Sequence, residues 1–264
     1  MALLSRPGQR CFEGFFSEMT KTSGVDEKVE PIDPVKVKLG QIAANEIKDN
    51  QIVGLGTGAT AAEFIKCLAK RCKEGLRITV VASSNESFML AQELGISVYK
   101  LGAIDIENEF FLDVYVDEAD EVDENFNMIK GRGGALHRAK VLASSSKKVI
   151  IMINSSKKVK LLGRVDLPIE VTKFGSDLAK KRLADLGYSS EKRKNKDDSP
   201  YVTDNDNYIL DVKLTKLLEN PEKAHGVFKN ITGVVETGIF IDLVDKLIVS
   251  DTDENCEIIN AKKL

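Results

Sequence analysis

The sequence lacks a long apolar segment and a marked excess of charge of either sign. Its densest apolar run is Val149–Ile153, far short of the roughly 20 residues that a membrane helix needs, so we expect a soluble protein without membrane contact. The 38 basic and 41 acidic side chains give a net charge of −3, which does not suit a general nucleic-acid-binding surface. A small molecule is the expected partner.

Cysteines in a metal-binding or redox pattern are also missing. The four cysteines, Cys11, Cys67, Cys72 and Cys256, contain no CxxC pair. Cys67 and Cys72 lie five residues apart in a predicted helix and therefore point to different sides. We expect reduced thiols in a cytoplasmic protein with no metal site.

Residues 1–32 have no clear structural pattern, and we predict a disordered N-terminal extension. Two arginines and several hydroxyl residues in this segment are typical of transit peptides, whereas Glu13, Glu18 and Asp26 are not. Targeting to an organelle therefore stays open, with a cytoplasmic location as the main expectation.

Short apolar strands alternate with helices over residues 33–164, which predicts an α/β fold with a doubly wound, mostly parallel sheet. The predicted elements are helix 34–50, strand 52–55, helix 60–71, strand 78–81, helix 86–94, strands 97–101 and 112–116, hairpin segment 127–129, helix 135–144 and strand 149–153. Ligands of such sheets bind beyond the carboxyl ends of the strands.

The pattern changes after Leu167 to an α+β type. It predicts strand 169–171, helix 177–186, strand 208–212, a short helix 214–219 and strand 233–236. Strands 238–241 and 246–249 could return to the first sheet. We therefore predict a large domain of residues 33–164 and 238–264, into which a small α+β domain of residues 165–237 is inserted.

Residues Gly54–Thr60, the glycine turn, follow a predicted strand and open a predicted helix. Backbone N–H groups at such a helix start can bind an anion such as phosphate. The turn lacks the lysine of a nucleotide P-loop and the full GxGxxG fingerprint, which disfavours a nucleotide. The alternative is a tight turn without a ligand.

Residues Asp117–Glu121, the acidic loop, hold four carboxylates within five positions at the end of a predicted strand. Such a group could bind sugar hydroxyls, bind a divalent metal or relay protons. A metal is disfavoured because no His lies nearby before His137 and no third ligand is evident. The alternative is a solvated acidic loop.

Residues Lys130–Leu136, the lysine–glycine loop, place a cation and free N–H groups before a helix. A lysine there can stabilise a developing oxyanion, although a surface lysine is the alternative. His137 and His225 have no partner that the sequence identifies.

These three segments, in this order, resemble the A-type ribose-5-phosphate isomerase family, whose motifs are close to GxGTGST, DGADE, KGGGGALTREK and a DxSK-like segment. Segments 167–171, 202–211 and 233–240 add to the resemblance. It implies interconversion of ribose 5-phosphate and ribulose 5-phosphate through an enediol, in the non-oxidative pentose phosphate pathway and without metal or cofactor. It also implies a Rossmann-like domain with a ferredoxin-like small domain, and a homodimer or homotetramer.

The resemblance assigns roles to the positions that match the family motifs. The substrate-binding positions are Thr57, Gly58, Ala59, Thr60, Glu118, Ala119, Gly131, Arg132, Gly133 and Lys157. The catalytic positions are Asp117, Asp120, Lys130 and Ala139.

Several of these positions differ from the family pattern. Ala59 replaces Ser, Arg132 replaces Gly, and Asn154 replaces the Asp before Lys157. Glu118 replaces a glycine, adding bulk and negative charge where an anionic substrate is expected, so affinity should fall.

The most serious difference is Ala139, which stands where the family has the glutamate that abstracts the proton. Losing such a base typically reduces the rate by about 10²- to 10⁴-fold. We expect a weakened isomerase, in which Glu118 or Glu121 could substitute for the base. The alternative is a catalytically inactive pentose-phosphate-binding or regulatory paralogue. A sugar-phosphate sensor ranks last, because no helix-turn-helix segment precedes the sheet.

Overall fold

The fold is that of a computed structural model, which describes residues 33–101, 111–252 and 255–261. The predicted disordered extension, residues 1–32, lies outside the described residues. In the described part of the chain, no helix is both long enough and apolar enough to cross a bilayer.

The helices and strands alternate as expected from the sequence. In chain order they are α1 (Pro34–Asn45), β1 (Ile52–Leu55), α2 (Ala59–Lys73), β2 (Thr79–Ala82), α3 (Asn85–Glu93), β3 (Val114–Glu118), β4 (Glu121–Val122), β5 (Met128–Ile129), α4 (Leu136–Ser144), β6 (Val149–Asn154), β7 (Leu167–Val171), α5 (Ser176–Asp185), β8 (Ser190–Lys192), β9 (Tyr208–Val212), α6 (Pro221–Lys229), β10 (Val234–Thr237), β11 (Ile239–Phe240), β12 (Lys246–Ser250) and β13 (Cys256–Asn260).

The central sheet has six strands in the order β13-β12-β6-β3-β1-β2. All neighbours are parallel except β13, which runs antiparallel to β12. Successive side chains of a strand point to opposite faces, and in β6 Ile150 and Met152 enter the core under α1 and α2, while Ile151 and Ile153 enter the core under α4. The predicted doubly wound α/β sheet is confirmed.

A second sheet of four antiparallel strands has the order β10-β7-β9-β8. Its chain order, β7-α5-β8-β9-α6-β10, is that of a ferredoxin-like unit, and Ile169, Leu210 and Phe228 lie in its core. The unit stands between β6 and β12 in the chain, as predicted. The described residues from Asp33 onward form one compact unit, and the boundaries near residues 165 and 237 stay a prediction.

Strand β11 does not return to the central sheet, so that expectation for residues 238–241 was wrong. Ile239 pairs with Ile129 of β5, and β5 pairs with β4 in a small three-stranded sheet. The N–H group of Lys130 donates to the carbonyl oxygen of Gly238 at 2.9 Å, and the N–H group of Gly238 donates to the carbonyl oxygen of Pro168 at 2.7 Å. These bonds hold β11 beside the lysine–glycine loop.

Two other sequence predictions were wrong. Residues 97–101 make a single bridge, between Val98 and Val80, in place of a strand. No helix forms at residues 214–219; helix α6 begins at Pro221, where the side chain of Asn220 accepts the N–H group of Lys223 at 2.8 Å. An asparagine cap followed by proline is a strong helix start.

The candidate site lies where the order of the sheet reverses. Strand β1 lies between β2 and β3, so the chain moves to one side of β1 and then crosses to the other. Leu55 and Val116 are paired, which brings the ends of β1 and β3 side by side. The glycine turn and the acidic loop therefore meet at the crevice where such sheets bind ligands.

Candidate functional site

One cavity of about 60 Å³ brings the three loops together. Its lining residues are Thr57, Gly58, Glu118, Ala119, Asp120, Lys130, Gly131, Arg132, Gly133 and Ala135. A wider groove of about 530 Å³ adjoins it and adds Ala59, Thr60 and Lys157. Of the positions assigned from the resemblance, Asp117 and Ala139 line neither space.

Asp117 and Lys130 form a buried ion pair beneath the cavity. The Nζ atom of Lys130 lies 2.8 Å from Oδ2 of Asp117, and the side chains are 5% and 0% exposed. Oδ1 of Asp117 accepts the N–H groups of Thr57 at 3.1 Å and Glu118 at 2.8 Å. Oδ2 also accepts the hydroxyl of Tyr115. Asp117 thus ties the two loops together and holds Lys130 in place.

Tyr115 takes part in this arrangement as a neutral donor. Burial raises the pKa of Tyr115 well above its ordinary value, and the charge of Asp117 and their hydrogen bond raise it further. The phenol therefore stays protonated at neutral pH.

Gly56 permits the close approach of the glycine turn to Asp117. A Cβ atom at this position would lie 2.3 Å from Oδ1 of Asp117. Any other residue would push the turn away, so the turn needs glycine here for contact with the carboxylate.

The hydroxyl of Thr57 lies in a cluster of buried hydroxyl groups. Its Oγ1 atom lies 2.8 Å from Oγ of Ser83, 2.8 Å from Oγ of Ser84 and 3.2 Å from Oγ of Ser87. Sequence reasoning missed these serines, although Ser83 and Ser84 directly follow strand β2. They hold the turn in shape.

The carboxylate of Glu118 lies over the start of α2. Its Oε2 atom accepts the N–H groups of Thr60 at 2.6 Å and Ala61 at 3.2 Å. Its Oε1 atom lies 3.9 Å from Nζ of Lys157. The backbone donors that were predicted to bind an anion are thus occupied by a side chain of the protein.

The other two carboxylates of the acidic loop differ in how firmly they are held. Glu121 is buried, and its two oxygens accept the N–H groups of Gly163 at 2.7 Å and Arg164 at 2.9 Å. Asp120 borders both the cavity and the groove, and its Oδ2 atom accepts the N–H group of Arg132 at a long 3.3 Å. Asp120 is therefore better placed to act on a ligand.

Side chains from the connection between β8 and β9 hold the lysine–glycine loop. The Nη1 atom of Arg193 donates to the carbonyl oxygens of Gly131 at 3.2 Å and Arg132 at 2.7 Å. The hydroxyl of Tyr201 lies 3.2 Å from the carbonyl oxygen of Gly133. Arg193 and Tyr201 were not predicted, because they lie more than 60 residues along the chain from the loop.

Ala139 lies on α4, is fully buried and belongs to the core under this helix. Ala135, one turn earlier, lines the cavity. Helical side chains lean toward the N-terminus of their helix, so a longer side chain at position 139 would extend toward the cavity end of α4. It carries a methyl group, which cannot accept a proton.

The groove beside the cavity has a basic rim. Lys36, Arg132, Lys157 and Arg164 line it together with the carboxylates of the acidic loop. Sequence reasoning missed Lys36 and Arg164. Four cations at one groove are suited to an anionic ligand group.

A separate cavity of about 290 Å³ lies beside α4 and β10, lined by both histidines, Lys140 and Glu236. Nζ of Lys140 donates to Oε1 of Glu236 at 2.8 Å and to two backbone carbonyl oxygens. Nδ1 of His225 lies 2.8 Å from Oγ1 of Thr237. Burial, and then the charge of Lys140, lowers the pKa of His225, which is therefore neutral at pH 7.

Lys140 and Glu236 form a partly buried ion pair. Burial lowers the pKa of Lys140 to about 8, because it outweighs the attraction of Glu236. Burial alone would raise the pKa of Glu236, but the charge and hydrogen bond of Lys140 leave it below its ordinary value.

Lys140 should make stability rise with pH in the alkaline range. An unfolded lysine keeps its proton to about pH 10.4, whereas folded Lys140 loses it near pH 8. The unfolded state thus binds more protons between these values, so the free energy of unfolding should increase there. In urea unfolding from pH 7.5 to 10.5, the free energy of unfolding of the native chain should therefore rise relative to that of Lys140→Met. The control Lys147→Met, at an exposed lysine, should show the same pH dependence of the free energy of unfolding as the native chain. If Lys147→Met changed this pH dependence as Lys140→Met does, the assignment of the effect to Lys140 would be contradicted.

Comparisons with known proteins agree on one family. The sequence model of ribose 5-phosphate isomerase A (phosphoriboisomerase A) matches residues 79–254. Ribose-5-phosphate isomerase A of Protochlamydia amoebophila is 42% identical over 207 residues, which are 78% of this chain and 87% of that protein. The Streptococcus pneumoniae protein of the same name is 40% identical over 233 residues, 88% of this chain and 99% of that protein.

Solved structures give the same result. Ribose 5-phosphate isomerase from Plasmodium falciparum superposes with a TM-score of 0.82 at 32% identity, covering 88% of this chain and 100% of that chain. A D-ribose-5-phosphate isomerase in complex with phospho-erythronic acid superposes with a TM-score of 0.79 at 34% identity, covering 86% and 97%. By sequence and by fold, the chain belongs to the ribose 5-phosphate isomerase A family.

Proposed function

We propose that the chain interconverts ribose 5-phosphate and ribulose 5-phosphate, the reaction of its family, with a weakened proton transfer. The main observation in support of this function is the cavity in which the glycine turn, the acidic loop and the lysine–glycine loop meet. A solved relative binds phospho-erythronic acid, which supports a phosphorylated ligand derived from a sugar.

The charges of the site suggest an orientation for the substrate. The basic groove and the start of α2 suit the phosphate end, since both attract anions. Lys130 and Asp120 at the opposite loops suit the aldehyde end. This orientation places the reacting carbons at the lysine–glycine loop.

The reaction moves one proton between neighbouring carbons. The open-chain aldose loses the proton of C2, and the electrons pass to the C1 oxygen, forming an enediolate. Lys130 stabilises the negative charge on that oxygen. Transfer of the C2 hydroxyl proton to the C1 oxygen, and return of the abstracted proton to C1, give the ketose.

Asp120 is the carboxylate that we assign to this proton transfer. Glu121 is engaged by two backbone N–H groups, and Glu118 lies at the start of α2. Asp120 borders the cavity and accepts only one long hydrogen bond among the described residues. A base that is not ideally positioned transfers protons slowly, so a reduced rate follows.

The second candidate function is a catalytically inactive protein that binds pentose phosphates or regulates an active paralogue. Two observations favour it: Ala139 carries no carboxylate, and Glu118 fills the donors at the start of α2. Activity measurements separate the two functions.

The test is ribulose 5-phosphate formation from ribose 5-phosphate with a chelator present. The native chain should turn over measurably, and Asp120→Asn should fall to the rate without protein. Asp206→Asn, at an exposed aspartate, should match the native chain. No turnover by the native chain would favour the binding or regulatory function, and an active Asp120→Asn variant would contradict the role of Asp120.

Three further expectations stay predictions: the homodimer or homotetramer, the cytoplasmic location and the boundaries of the small domain. Light scattering of the purified chain would decide the first.

A further inference from the structure

Glu118 makes contacts that an anionic ligand would otherwise make. The first N–H groups of a helix have no partner within the helix and carry a partial positive charge. At α2, two of them, from Thr60 and Ala61, donate to Oε2 of Glu118 at 2.6 and 3.2 Å. A carboxylate of the protein thus takes the place of an anion.

The glycine turn leaves no space for a second group at this point. Gly58 has a φ angle of +123°, and a Cβ atom there would lie 2.6 Å from Cδ of Glu118. The carboxylate therefore rests directly on the backbone of the turn. A phosphate could not bind the same N–H groups beside it, because two anions in contact repel strongly.

The groove next to Glu118 can accept its side chain when a ligand displaces it. Its side chain is 19% exposed, and Nζ of Lys157 lies 3.9 Å from Oε1. The groove of about 530 Å³, which Glu118 also borders, includes Lys36 and Arg164. A rotation of the side chain into this basic groove would free the N–H groups.

We infer that Glu118 is an internal competitor for the phosphate end of a sugar phosphate, and so sets how tightly the site binds phosphorylated ligands. This inference rests on the proposed function in taking the start of α2 as the phosphate end. The competition weakens binding because the ligand must first break two charge-assisted hydrogen bonds. It leaves the chemistry at Lys130 and Asp120 untouched.

The test compares Glu118→Gly, Glu118→Gln and the native chain by calorimetry with ribose 5-phosphate and, separately, with inorganic phosphate. Loss of hydrogen bonds to a charged group of this kind corresponds to about 10- to 100-fold in affinity. Glu118→Gly should bind both ligands more tightly by such a factor. Glu118→Gln, which keeps the bulk without the charge, should fall between the two.

Glu124→Gln is the matched control, because it removes one negative charge from an exposed position outside the cavity and the groove. It should bind as the native chain does. Equal affinities of Glu118→Gly and the native chain would overturn the inference, as would an equal gain in Glu124→Gln.

A measurement of isomerase activity distinguishes failure of the competition by Glu118 from failure of the proposed function. Turnover by the native chain together with unchanged affinity in Glu118→Gly would overturn the competition and keep the isomerase. Tighter binding in Glu118→Gly with no turnover in any variant would keep the competition and overturn the isomerase.

Discussion

Ala139→Glu should raise the rate of ribulose 5-phosphate formation by about 10²- to 10⁴-fold, the usual contribution of a positioned general base. Position 139 lies one helical turn after Ala135, which lines the cavity. Because helical side chains lean toward the N-terminus, a glutamate there should extend toward the cavity and reach the reacting carbons beside Lys130. The measurement is kcat and KM of both chains with ribose 5-phosphate.

The control for this variant is Ala139→Gln, which has the same shape and no base. Ala139 is fully buried, so both variants should lose some stability, and only Ala139→Glu should gain turnover. The gain should appear in kcat, since binding contacts are unchanged. Equal rates in both variants would show that position 139 does not deliver a base to the substrate.

Lys130→Met should reduce the free energy of unfolding by about 3–5 kcal/mol, the usual effect of removing one partner of a buried ion pair. Asp117 is 0% exposed, and the variant would leave its carboxylate buried without the cation that pairs with it. Its hydrogen bonds from Thr57 and Glu118 remain but do not neutralise the charge. Urea unfolding at pH 7 measures the difference.

The double variant Lys130→Met, Asp117→Asn provides the control. Asparagine keeps an oxygen that can accept the N–H groups of Thr57 and Glu118, and it carries no charge that needs a partner. The double variant should therefore be more stable than Lys130→Met alone. If it were equally unstable or less stable, uncompensated charge would not explain the loss.

Much of the central sheet could be predicted from the sequence because its strands are local and apolar. In β6, a run of apolar residues at Val149–Ile153 predicts a strand buried on both faces, and the structure extends it by one residue. The glycine turn could also be predicted, since several glycines between an apolar strand and a helix are typical of a tight turn.

Elements that depend on distant contacts could not be predicted in the same way. Strand β11 has the apolar character of a central strand. Its position is set instead by backbone hydrogen bonds of the preceding Gly238 to Pro168 and Lys130, and these residues are distant in the sequence. Helix α6, in contrast, could have been predicted, because Asn220 and Pro221 are a local signal for its start. The prediction was placed at 214–219 because of the apolar residues before them. That error was avoidable.

For the candidate site, the sequence identified the loops but not their internal contacts. Four acidic residues within five positions give no indication that the Glu121 carboxylate accepts the N–H groups of Gly163 and Arg164, or that Glu118 turns back onto α2. Hydrogen bonds between loops 40 to 60 residues apart depend on the fold, and residue spacing alone does not report them.

The hydrogen bonds from Arg193 and Tyr201 to the lysine–glycine loop have a consequence for shortened versions of the protein. A chain from which residues 165–237 are deleted would contain every residue of the three loops and lack both of these side chains. Gly131 and Gly134 have φ angles of +115° and +87°, and glycine backbones of this kind relax readily once released. Deleting the inserted unit should therefore loosen the lysine–glycine loop, even though that loop is encoded outside the unit.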